Sequence, residues 1–138
     1  MEKLISKDDR FFIAGSRGMV GKAIIKALTK SGYGKKEHGG ILFTPSRKEL
    51  NLFNLYEVEN WFLTNKPTVV ILAAAKVGGI LANNAQPADF ILENLKIQNN
   101  VIEMAYKYGV KRFLFLGSSC IYPKFAEQPI CLLYTSPS

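Results

Sequence analysis

A chain of 138 residues with 48% hydrophobic and 21% charged side chains has the composition of an ordinary globular domain, long enough for one core and too short for two. No apolar stretch approaches the roughly 18 residues needed to cross a bilayer, residues 1–9 lack the apolar run of a signal peptide, and two cysteines, Cys120 and Cys131, make no disulfide framework, so a reducing cytoplasm is the expected setting. The formal charge of +7 comes without a stripe of Lys and Arg interleaved with aromatics, so no nucleic-acid partner is expected; a solvated surface accounts for it, and a polyphosphate site biases charge the same way.

Residues 11–14, Phe-Phe-Ile-Ala, are a short apolar run ending at Gly15 and predict a buried strand. Met19, Val20, Ala23, Ile24, Ala27 and Leu28 recur at helical spacing, and Gly32 closes that helix. Lys35, Lys36 and His38 read as a turn before a second short strand at Ile41, Leu42 and Phe43. Asn54 followed by Glu57 is a capping-box-like start for a helix whose apolar face is Leu55, Val58, Trp61 and Phe62. Thr68 to Ala75 is unbroken apolar sequence, as for a parallel strand covered on both faces. Pro87 fits the first turn of a long helix with Phe90, Ile91, Leu95, Val101, Ile102, Ala105 and Tyr108 as its apolar positions and Gly109 just past its end. The last strand is expected at residues 112–116, stopped by Gly117. Strands alternating with helices predict an α/β fold, a Rossmann-type doubly wound parallel sheet with the four strands central.

Four constellations carry chemistry. Gly15, Ser16, Arg17, Gly18, Met19, Val20 and Gly21 form a G-x-x-G-x-x-G run between strand and helix. Gly15 permits the tight turn, Gly18 lets a pyrophosphate approach the backbone, and Gly21 lets the helix pack closely on the sheet. Free N–H groups at the helix start then face the phosphates. The second lies past the second strand, at Ser46, Arg47, Lys48, Glu49, Leu50, Asn51 and Leu52. A site for NAD places a carboxylate there for the ribose 2′-hydroxyl. Here Arg47 comes first and Arg17 lies in the glycine run, which suits the 2′-phosphate of NADP. Glu49 is the residue that argues the other way, unless it simply faces solvent. Third, Ala73 to Ile80 lies at a strand's carboxyl end, where small side chains let a cofactor ribose approach or simply pack tightly. Fourth, Ser118 can donate a hydrogen bond to a substrate carbonyl and Cys120 can act as a weak acid. Both also read as a turn residue and a buried small hydrophobe. No metal site is expected.

Together the runs 13–21, 47–52, 73–80 and 115–124, with Asn83, Asn84 and Pro87 to Ile91, resemble the extended short-chain dehydrogenase/reductase family, over nearly the whole chain. Within it they are most similar to enzymes that epimerise GDP-4-keto-6-deoxy-D-mannose at C3 and C5 and then reduce it at C4 with NADP(H). The resemblance implies that Gly15–Gly21 bind the cofactor pyrophosphate and Arg17 and Arg47 its 2′-phosphate, within a cofactor-binding segment running from Arg47 to Leu52. Leu116, Gly117, Ser118 and Ser119 would line the nicotinamide side. Ser118 would polarise the C4 oxygen, Cys120 would serve as an epimerisation acid/base, and the enzyme would be a homodimer. The family's hydride-step acid is a tyrosine four residues before a lysine, and none of the six tyrosines here has that spacing. The expectation is an NADP-binding domain over 10–130, incomplete and inactive by itself. The tail 131–138 departs from the family and reads as foreign or frame-shifted. Other nucleotide-sugar epimerases or dehydratases of the family, and a non-catalytic NADP-binding module, are the competing readings.

Overall fold

A computed structural model describes residues 4–74 and 87–117. In chain order these form β1 (Arg10–Ala14), α1 (Met19–Lys30), β2 (Ile41–Phe43), α2 (Leu55–Asn65), β3 (Val69–Leu72), α3 (Pro87–Lys107) and β4 (Arg112–Phe115). The four strands pair in parallel in the order β2-β1-β3-β4. The sheet is doubly wound as expected, because the two sides of its apolar strands are covered by different helices. Phe11, Ile13, Val69 and Ile71 pack against Ile24, Ile25 and Leu28 of α1. Phe12, Ala14, Val70 and Leu72 pack against Val58 and Phe62 of α2 and Ile97, Val101, Met104 and Ala105 of α3. Phe12 is fully buried, with its ring 4.2 Å from Trp61 and edge-on to Phe62 at 5.8 Å. Burying one such side chain stabilises a fold by about 1.5–3 kcal/mol.

Several boundaries differ from the sequence reading. β3 spans Val69–Leu72, leaving out Thr68 of the expected 68–75 strand at one end and Ala73 and Ala74 at the other, where its partner leaves; Ala75 lies outside the described residues. Gly15 turns the chain out of β1, and the last rung is the Ala73 N–H donating to the Ala14 carbonyl at 2.8 Å. β4 ends at Phe115, although the Leu116 N–H still reaches the Leu72 carbonyl at 3.3 Å. Only β1 and β3 are central; β2 and β4 are the edges of the described sheet, and β4 is exposed along its length. Residues 36–38 form a short 3-10 turn. In α1, Met19 and Val20 point to solvent and Ile25 takes part in packing instead. In α3, Ile91, Leu95 and Ile102 are exposed while Ile97 and Met104 are buried. That helix is apolar on two sides, and the sheet takes only one of them. Among the described residues no helix is long and apolar enough to cross a membrane.

The amino ends of three strands are fastened together. Asp9, 3% exposed, accepts hydrogen bonds from the Ser6 N–H at 2.6 Å, the Thr68 hydroxyl at 2.8 Å and the Lys111 ammonium at 2.9 Å. Those residues precede β1, β3 and β4, so the opposite, carboxyl end of the sheet is left for a ligand.

Candidate functional site

In the order β2-β1-β3 the chain adds strands first to one side of β1 and then to the other, which makes the crevice beyond the carboxyl ends of β1 and β3 the place where a ligand binds in such folds. A cavity of about 540 Å³ lies there. Ala14 to Gly18, Pro45 to Lys48, Leu50 to Phe53, Ala73 and Ala74 line it, with Phe12 and Ile97 as its floor.

The glycine run shapes one wall. Gly15 has φ +88°, and a Cβ there would lie 2.6 Å from the Ala74 nitrogen. The turn closes with the Gly18 N–H donating to the Gly15 carbonyl at 3.2 Å. A Cβ on Gly21 would press into the Gly15 carbonyl and approach the Ser16 Cα to 2.9 Å. At Gly18 the chain itself makes no such demand: φ is −69°, and a Cβ would meet only the Gly15 oxygen at an ordinary 3.5 Å. Nothing else among the described residues lies within 4 Å of that Cβ, so position 18 is open space at the rim of the cavity.

The start of α1 is open in the same direction. Gly18 offers no side-chain cap, and the first turn holds no acidic residue. α2 shows the contrast, because Asn54 accepts from the Tyr56 and Glu57 N–H groups and so fills its own start. An uncapped helix start with positive partial charge suits an anion. Arg17, Arg47 and Lys48 stand at the cavity and are exposed. Neither Arg17 nor Arg47 is held in an ion pair among the described residues. These donors fit the diphosphate and 2′-phosphate of a dinucleotide.

The loop after β2 is stiffened from several sides. The Glu49 and Leu50 N–H groups both donate to the Ser46 carbonyl, at 3.0 and 2.9 Å. The Asn51 N–H donates to Glu57 at 3.1 Å, and the Asn100 side-chain amide of α3 donates to the Leu52 carbonyl at 2.9 Å. Ser16 ties the glycine turn to this loop through a long bond from its hydroxyl to the Thr44 carbonyl, 3.4 Å. Glu49 does not line the main cavity. Its carboxylate accepts from the Ser46 N–H at 2.6 Å and borders a smaller cleft beside Leu42, Pro45 and Trp61. The Ser46 N–H and hydroxyl, aided by the charge of Arg17, hold the Glu49 carboxyl below its ordinary pKa.

Of the residues expected to bind cofactor, the structure gathers Gly15, Ser16, Arg17, Gly18, Arg47, Lys48, Leu50, Asn51 and Leu52 around one cavity. Met19, Val20 and Gly21 form the first turn of α1 beside it. Glu49 turns away, and Leu116 and Gly117 follow β4 without lining the cavity. Ser118, Ser119 and Cys120, and the loop from Ala75 to Ile80, lie outside the described residues. Phe53, Ile97 and the loop-anchoring Asn100 were not legible as site residues; two of them come from a helix far along the chain, and no local pattern marks them.

Residues 11–136 match the NAD dependent epimerase/dehydratase family. The chain is 52% identical over 130 residues to GDP-L-fucose synthase 1 of Arabidopsis thaliana, covering 94% of this chain and 38% of that protein. It is 50% identical over 121 residues to GDP-L-fucose synthase of Escherichia coli (strain K12), covering 88% and 36%. It thus spans little more than a third of the length of these curated relatives. Among solved structures it is similar to MlghC, a GDP-mannoheptose C4 reductase from Campylobacter jejuni with NADP bound. The TM-score there is 0.79 at 39% identity, over 92% of this chain and 38% of that one.

Proposed function

This chain belongs to the NAD dependent epimerase/dehydratase family, and from that premise we propose that it forms the cofactor-binding part of a GDP-L-fucose synthase. The enzyme is NADP-dependent, epimerises GDP-4-keto-6-deoxy-D-mannose at C3 and C5, and reduces it at C4. The observation that carries the cofactor reading is the open start of α1 facing the cavity at which Arg17, Arg47 and Lys48 stand. Half-identity with relatives bearing that enzyme name supports the substrate.

The C4 ketone accounts for both halves of the reaction, since it acidifies the neighbouring C–H bonds and accepts the hydride that the bound dinucleotide supplies. In this reading the backbone from Gly15 to Gly21 holds the pyrophosphate and Arg17 and Arg47 clasp the 2′-phosphate. Leu116 to Ser119 follow the nicotinamide side. Ser118 donates a hydrogen bond to the C4 oxygen and Cys120 exchanges protons at C3 or C5. The working place is the cytoplasm. The protein partner is a second copy, for which the exposed row of Ile91, Leu95, Ile102 and Tyr106 on α3 is supporting evidence. Sedimentation of a chain of the relatives' length tests that pairing.

Titrating the chain with NADP⁺ and NAD⁺ tests the cofactor reading, with NADP⁺ expected to bind at least about tenfold more tightly, the worth of one good hydrogen bond. Equal affinities would refute it. NADPH oxidation by a chain of the relatives' length, offered GDP-, UDP- and dTDP-linked 4-keto sugars, tests the substrate.

A further inference from the structure

We propose that Glu49 is a positioning residue for cofactor choice: by holding the Ser46 N–H it fixes the turn that turns Arg47 and Lys48 toward the cavity. This rests on the NADP reading above and deepens it. A carboxylate just past the second strand is the feature that would ordinarily serve a ribose 2′-hydroxyl. Here that carboxylate is already committed. It accepts from the Ser46 N–H at 2.6 Å, and the same turn closes in the other direction through the Glu49 and Leu50 N–H groups on the Ser46 carbonyl. The Glu49 carboxylate on the Ser46 N–H is the acid's half of a capping box, while the Ser46 backbone carbonyl, not its hydroxyl, takes the returning N–H groups.

Two consequences follow from where the turn's side chains go. Glu49 borders the smaller cleft near Trp61, whereas Arg47 and Lys48 border the main cavity, so alternate sides of the turn carry opposite charges. Glu49 is thereby kept off the cavity wall that Arg47 and Lys48 line, although its carboxylate still feels the charge of Arg17. Arg47 and Lys48 are also long, exposed side chains, and a loose backbone beneath them would add to the entropy lost when they close on a phosphate. Fixing the turn in advance removes that part of the loss. Glu49 therefore favours a 2′-phosphate through its neighbours and does not read a 2′-hydroxyl itself.

The test compares Glu49→Ala with Glu49→Gln in the full 138-residue chain, using NADP⁺ and NAD⁺ as probes in calorimetric titrations. Glu49→Gln keeps an acceptor oxygen for the Ser46 N–H and loses the charge; Glu49→Ala loses both. Glu49→Ala is expected to weaken NADP⁺ about tenfold, with Glu49→Gln within about threefold of the unsubstituted chain and NAD⁺ within about twofold in both, the scale of one hydrogen bond. Amide hydrogen exchange without cofactor gives an independent readout: the Ser46 N–H should exchange faster in Glu49→Ala and stay protected in Glu49→Gln. Equal NADP⁺ losses in the two variants, or an unchanged Ser46 exchange rate in Glu49→Ala, would overturn the proposal. So would tighter NADP⁺ and weaker NAD⁺ binding in Glu49→Ala, which would make the carboxylate a direct hydroxyl reader. Failure of the underlying cofactor reading shows separately, as a lack of NADP⁺ preference in the unsubstituted chain, and removes the inference with it.

Discussion

Gly21 lies directly against Gly15: a methyl group on Gly21 would stand 2.9 Å from the Gly15 carbonyl carbon and closer still to its oxygen. The first turn of α1 is pressed onto the end of β1 with no room between them. Gly21→Ala must therefore push the helix off the strand, and a destabilisation of about 1–3 kcal/mol, the usual range for overpacking, is expected in thermal or urea unfolding. Gly18→Ala meets nothing closer than 3.5 Å and should leave stability within about 0.5 kcal/mol. Its expected effect is on NADP⁺ affinity, because in the proposed reading the added methyl enters the space a phosphate would take. Similar unfolding curves for the two variants would show that the glycine run is not divided in this way.

Arg47 stands at the cavity, clear of ion pairs with described residues, and in the proposed NADP reading it meets the 2′-phosphate. In a chain of the relatives' length, Arg47→Glu should weaken NADPH binding by about 1.5–3 kcal/mol, the range for charged hydrogen bonds. NADH binding should change little. A fluorescence titration giving equal losses for both cofactors would remove Arg47 from the 2′-phosphate site.

Asp9 gives the fold an acid-sensitive point. Burial pushes its carboxyl up, but the Ser6 N–H, the Lys111 ammonium and the Thr68 hydroxyl together hold it below the ordinary value of 3.8. A carboxyl whose pKa is depressed on folding contributes stability that is full above its unfolded pKa and is lost as pH falls through the folded one. Unfolding free energy should therefore drop below about pH 4 in the parent chain and drop less in Asp9→Asn. At pH 7 that variant should be less stable by about 1–3 kcal/mol, since the Lys111 and Thr68 donors lose a buried charged partner. Identical pH profiles for the two chains would count against Asp9 fastening the strand ends.

The strand cores were legible because Phe11 to Ala14 and Val69 to Leu72 are unbroken apolar runs, and only a strand covered on both sides needs one. Their ends were not. Ala73 and Ala74 are as apolar as the strand before them, and only the turn at Gly15, in another part of the chain, takes their partner away. The α3 helix forms and Val101, Ala105 and the adjoining Tyr108 face the core as expected, while other apolar positions differ for a related reason. Ile91, Leu95 and Ile102 make as good a helical stripe as Ile97, Val101 and Met104, and periodicity cannot say which of two stripes meets the sheet. The cavity's glycine and arginine residues could be found because a βα turn brings near neighbours together. Ile97 and Asn100 could not, because α3 carries them to the loop after β2 from some fifty positions away. Glu49 shows the limit for a charge: the sequence leaves open whether it serves a ribose hydroxyl or faces away, and only the turn at Ser46 decides it.

The last prediction separates Ser118 from Cys120 in a chain of the relatives' length. Hydride delivery leaves negative charge on the C4 oxygen, which must be held by hydrogen bonds and then protonated. A serine hydroxyl can hold that charge but is too weak an acid to neutralise it, and the 138 residues contain no tyrosine four positions before a lysine to do so. The chain by itself should therefore oxidise no NADPH when offered substrate. Epimerisation also needs a polarised ketone, since the C3 and C5 protons become acidic only as the C4 oxygen takes up charge. Ser118→Ala should thus lower epimerisation and reduction together, by the 10²–10³-fold in kcat typical of losing one good donor. Cys120→Ala should act more narrowly. A thiol with an ordinary pKa near 8.5 can pass protons at C3 or C5 once its surroundings adjust it, but it has no part in accepting the hydride. Its loss should slow deuterium wash-in from solvent while reduction of an unepimerised 4-keto sugar survives. Mass spectrometry of the recovered sugar beside the fall in NADPH absorbance measures both in one reaction. Unchanged wash-in in Cys120→Ala would make the cysteine a packing residue, and NADPH oxidation by the 138-residue chain would show that the acid lies among residues already present.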